Sequence, residues 1–176
     1  MALSVVYAVD TCHVLGAVAL TGASASNDAA ELVGPALPLR VSLGADGTAT
    51  LPVDARELAV AAVDDEPGAL AEPLAYAVEF GSDEKPKPKL LHLPSWNNEL
   101  KLTTDKLTVT VPFDTTAPTP VVALVSDHQA THVLAGEIPA GGTEAKLAVS
   151  LAADTAYGVL VLVVGWAGRL ERVKVA

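Results

Sequence analysis

Val159-Leu-Val-Leu-Val-Val164 is an unbroken apolar run that shows the same chemistry on both faces of an extended chain. Such a run is stable only with neighbouring strands on each side and packed layers above and below it. It therefore predicts a central strand of a β protein. The rest of the chain alternates instead. Leu3, Val5, Tyr7 and Val9 share a face, as do Leu107, Val109, Val111 and Phe113, with Lys106, Thr108 and Thr110 opposite. Asp10-Thr11, Gly44-Ala-Asp-Gly47, Asn97-Asn98, Thr104-Asp105 and Gly168 supply turns between the runs. Counted this way the chain holds about fourteen short strands and almost no helix, which defines an all-β, antiparallel β-sandwich class. The one helical exception is a single turn around Asp28 to Val33 in the loop 22–36, with Asp28 as its cap and Gly34 as its stop.

A short pattern occurs twice. Leu39-Arg-Val-Ser-Leu-Gly-Ala-Asp46 is echoed by Leu147-Ala-Val-Ser-Leu-Ala-Ala-Asp154, and a His-Val-Leu precedes each, at His13 and at His132. Strand-like runs lie upstream of both, Val5 to Val9 and Val121 to Val125. The polar, Pro- and Lys-interleaved stretch 81–89 is the first choice for a boundary. It divides the chain into an acidic β domain at 1–80 and a second β domain at 90–176. Two immunoglobulin-like sandwiches, or one duplicated sandwich, are the expected architectures.

Hydrophobic residues make up 51% of the chain and aromatics only 4%, so small Ala, Val and Leu side chains carry the core. That composition suits thin β layers, with apolar surface left for contact with other subunits. Of the formal net charge of −10, residues 1–80 contribute eleven acidic against two basic side chains, and the remainder is nearly neutral. A chain with no basic stripe is poorly equipped for nucleic acid or an anionic membrane. Cys12 is the only cysteine, so no internal disulfide forms. The opening residues lack the basic and apolar regions of a leader, and the longest apolar run is too short to span a bilayer. The expected location is the cytoplasm, or a particle assembled there.

Candidate chemistry is sparse. His128-x-x-x-His132 beside Asp127 has the spacing of a helical zinc pair, but in a strand and turn the two rings cannot share a metal, and no third ligand is near. Asp10, Cys12 and His13 cluster in a turn whose acidic surroundings do not activate a thiol. Asp64-Asp65-Glu66 lacks the spacing of a calcium loop and reads as a solvated turn. Gly141-Gly142 reads as a hairpin tip, because no helix follows to make a phosphate cradle. No catalytic, cofactor-binding or metal residue is assigned, and no enzyme activity or cofactor is expected.

The expectation is a non-catalytic structural subunit of a symmetric assembly, such as a phage or phage-tail-like particle, a capsid or a filament. A monomeric adaptor or ligand-recognition module is the alternative. Partners are then other proteins or copies of the chain itself. The interface candidates are Trp96, in the polar turn Pro94-Ser-Trp-Asn-Asn98, and Leu170, Arg172, Val173 and Lys174 of the last strand. Arg169, Arg172 and Lys174 mark that strand as a sheet edge. Proline at Val173 is expected to remove an edge donor, and Trp166 is expected in the core.

Overall fold

A computed structural model describes residues 2–22, 25–84 and 87–176. Among them lie fourteen strands in five antiparallel sheets and two single-turn α-helices, which makes the fold all-β. No helix among the described residues is long and apolar enough to cross a membrane. The chain divides into two compact units that interleave in sequence. Residues 38–52 belong with 96–164 and 169–176, and residues 165–168 belong with the chain up to Leu37 and with Val53–Ser95. The expected linker 81–89 falls inside the 53–95 segment, and its Lys85 and Pro86 lie outside the described residues.

The first unit is built on β1 (Ala2–Ala8), which lies between β2 (Val14–Leu20) and β5 (Leu58–Val63). Leu3, Val5, Val14, Ala61 and Val63 make its core with Ala69 and Val78. The 5-residue helix α1 (Ala29–Val33) starts where the Asp28 carboxylate accepts from the Ala30 N–H at 2.9 Å. It stops at Gly34, whose φ of 73° is left-handed. A second turn, α2 (Pro67–Ala71), is capped by Glu66, and β6 (Tyr76–Glu79) pairs with β7 (Lys89–His92).

The second unit begins with the hairpin of β3 (Ala36–Ser42) and β4 (Thr48–Asp54), each of which has one end in the first unit. Gly47, at φ 92°, closes the turn, and its carbonyl accepts from Leu43 N–H at 2.7 Å. The remaining strands are β8 (Lys101–Leu102), β9 (Lys106–Thr110), β10 (Thr119–Ser126), β11 (Thr131–Ile138), β12 (Glu144–Ala148), β13 (Ala156–Val163) and β14 (Arg169–Lys174). They form two sheets, β11-β10-β13-β14 and β12-β9-β8. Every residue of β13 is buried, as its apolar run requires of a central strand. Gly158 sits where a side chain would strike Val41, Ala49 and Leu51 of the β3–β4 hairpin, so the hairpin covers that face of β13. Gly136 on β11 faces Leu147 of β12, on the opposite face of the sheet by the two-residue alternation. β13 is thus covered on both faces. The echoed upstream runs belong to β1 and β10, and each of these strands is the middle of an antiparallel trio, β2-β1-β5 and β11-β10-β13.

Candidate functional site

One loop hydrogen bond sets the orientation of the last strand. Ala156↔Lys174 through Val161↔Arg169 pair antiparallel, and Val175 N–H donates to Thr155 O at 2.9 Å. Residues of an antiparallel pair alternate between facing the partner strand and facing away. Val173, Glu171 and Arg169 therefore direct their backbone groups at β13, and Leu170, Arg172 and Lys174 direct theirs outward. Ala176, next in the outward series, confirms the phase by donating to Leu102 O at 2.9 Å. β14 is the sheet edge expected from its charges, but proline at Val173 would break a ladder bond. Arg172 is the position whose N–H faces the open side.

The segment 98–102 runs alongside this edge without pairing to it. It is tied at one end by the Ala176–Leu102 bond and at the other by Arg169, whose guanidinium donates to Asn98 O at 2.6 Å. The same guanidinium grips Glu171 through two nitrogens, the shorter contact at 2.8 Å, and lies 4.4 Å above the Trp96 ring. Arg169 is thus fully engaged and its side chain is only 16% exposed. Trp96 is 7% exposed, whereas Trp166 is half-buried, so the two tryptophans exchange the burial expected of them. The polar turn around Trp96 hid this, because its cover comes from a residue far along the chain.

Between the two ties lies a groove of about 530 Å³, walled by Glu99 to Thr103 on one side and by Glu171 to Lys174 and Ala176 on the other. Three of the expected interface residues, Arg172, Val173 and Lys174, line it. Leu170 is on the same strand but not in the lining. Lys174 reaches Asp154 at 3.6 Å, and Glu171 is held by Arg169. Lys101 and Arg172, both exposed, make no ion pair among the described residues. The groove therefore combines an outward row of backbone donors and acceptors with three cations, Lys101, Arg172 and Lys174, against the carboxylates of Glu99 and Glu171, the latter held by Arg169. Lys101 and Glu99 were not legible as part of it, since nothing local in the sequence brings residue 98 to residue 169.

The other candidate residues are engaged structurally. His128 is exposed in the β10–β11 turn and His132 lies on β11, so they do not share a site. The Asp127 carboxylate accepts from Gln129 N–H at 2.7 Å and Ala130 N–H at 2.8 Å. Burial raises its pKa, but those two bonds and the nearby His128 and His132 outweigh it and leave the group below its usual value. Beside this turn a polar hollow of about 220 Å³ is lined by Thr48, Thr50 and residues 126–131. The Ser126 hydroxyl is buried at its floor, with Thr50 O, Asp127 O, Ala130 O and Thr131 Oγ1 all within 3.1 Å. Only a hydroxyl ending an apolar strand hints at this pin in the sequence.

In the first unit, Cys12 takes a left-handed φ of 60° in the β1–β2 turn, and its N–H donates to Ala8 O at 2.8 Å. Its neighbour His13 is buried, with Nε2 2.7 Å from Trp166 O. Asp64 pairs with Lys87, whose hydrogen bond and charge lower its pKa, and Glu66 caps α2. Among the described residues no group of three His, Cys, Asp or Glu side chains is arranged to hold a metal. No family model, curated protein or solved structure matches this chain.

Proposed function

We propose that this chain is a non-catalytic structural subunit of a protein assembly and that it docks through the β14 edge. The observation that carries this reading is the outward row of Leu170, Arg172 and Lys174 backbone groups beside a groove that no strand among the described residues fills. Unpaired sheet edges are templates for strand addition, and main-chain hydrogen bonds then supply affinity while flanking side chains supply selectivity. The engagement of His13, Asp127, Ser126 and Asp64 in structural bonds supports a non-catalytic reading. Light scattering on the size-excluded protein, with and without Arg172→Pro, tests it. A multimer or partner complex that dissociates in the variant, with its melting temperature little changed, is the expected result. An assembly indifferent to the substitution overturns it.

A second reading, a recognition module acting as a monomer, is favoured by the polar hollow at Thr48, Thr50 and residues 126–131. A clean monomer under the same measurement supports that reading instead.

A further inference from the structure

We infer that the β14 groove accepts a single extended acidic segment of a partner protein and excludes the β14 edge of a second copy. The inference rests on the edge-docking reading and names the occupant.

Sterically, the edge is flanked along its length by segment 98–102, tied down at Arg169–Asn98 and Ala176–Leu102. A lone strand brings no flanking segment of its own, so it meets only one wall. Another β14 would bring its own flanking segment with it, and the two walls would meet before the strands could pair.

Charge argues the same way. Outward groups must pair with outward groups, so antiparallel self-pairing has few registers. Centred on Arg172 it sets that side chain against its own copy. Centred on Val173 it sets Arg172 against Lys174. Centred on Glu171 it opposes two carboxylates. Like charges directly opposite are destabilising, so each register is disfavoured. An incoming strand with carboxylates at alternate positions instead meets Arg172 and Lys174 on one face, with Lys101 on the facing wall. Among the described residues Lys101 and Arg172 have no carboxylate of their own to release, and Glu99 is the one lining side-chain carboxylate without an ion pair. Six residues, Leu170 to Val175, separate the ties along the chain, so the recognised core is short.

The test uses the full chain and two capped, fluorescein-labelled octapeptides, one alternating Glu and Val and the other alternating Lys and Val. Fluorescence anisotropy should show saturable binding of the Glu/Val peptide and binding of the Lys/Val peptide weaker by about tenfold or more. Arg172→Glu and Lys101→Glu, both at exposed positions, should each weaken the Glu/Val peptide by about tenfold. In amide exchange the bound peptide should slow Leu170, Arg172 and Lys174, leaving Glu171 and Val173 unchanged because they are already paired. Equal binding of the two peptides, no binding, or a β14-mediated dimer lost on Arg172→Glu overturns the inference. If the peptides fail while Arg172→Pro still dissolves an assembly, the acidic occupant is wrong and edge docking stands. If Arg172→Pro also changes nothing, edge docking itself is wrong.

Discussion

Val175 donates its amide to Thr155, and that one bond determines which way every backbone group of β14 points. Neighbouring residues consequently have opposite meanings. Arg172→Pro removes an outward donor and should leave the melting temperature within a few degrees of the parent while abolishing association. Val173→Pro removes a ladder bond to Tyr157 and should cost about 3 kcal/mol or more of stability. Thermal denaturation of the two variants side by side checks the phase.

The central position of β13 makes Val161 a sensitive probe. It is 0% exposed and sits between β10 and β14. Val161→Asp places an unpaired carboxylate in that layer and should destabilise the fold by about 3–5 kcal/mol. Urea denaturation checks it, and an unchanged midpoint would remove β13 from the core.

Two strand glycines should respond with opposite signs. Replacing a strand glycine with alanine ordinarily stabilises by about 0.4–1 kcal/mol, by restricting the unfolded chain. Gly16 has nothing within 4 Å of the new methyl, so Gly16→Ala should be neutral or mildly stabilising. At Gly158 the methyl would stand 3.0 Å from Ala49 Cβ and 3.3 Å from Val41 Cβ, atoms fixed to backbone that cannot swing away. Gly158→Ala should therefore cost about 1–3 kcal/mol.

Asp127 links stability to acidity. Its folded-state pKa is depressed, so the charged form is favoured by folding. The resulting stability is fully present above the unfolded value of about 3.9 and is lost as pH falls through the folded value. Asp127→Asn should lower the melting temperature at pH 7 and flatten its decline below about pH 4 relative to the parent. Parallel curves for the two proteins would dissociate the turn from acid sensitivity.

What could be read from the sequence was whatever neighbouring residues decide. Alternation placed the strands, the apolar run placed β13 at the centre of its sheet, charge placed β14 at the edge, and Asp28 with Gly34 bounded α1. Even the alternating series in β9 held through Val111 and then failed: Phe113 is 71% exposed because the strand ends at Thr110. Contacts closed over long separations left no local trace. The cover of Trp96 by Arg169, the wall of the groove at 98–102 and the packing of the β3–β4 hairpin on Gly158 are all of that kind.

The interleaving of the two units has a consequence for synthesis. Residues 38–52 leave the ribosome before their partners and must wait for strands that begin beyond residue 96. The first unit in turn lacks Gly165–Gly168 until nearly all of this sequence has been translated. Neither unit can finish by the N-terminal-first order common in multidomain chains. Closure of each unit is postponed to its later segments, and the β3–β4 hairpin is exposed to chaperones and to aggregation until they emerge.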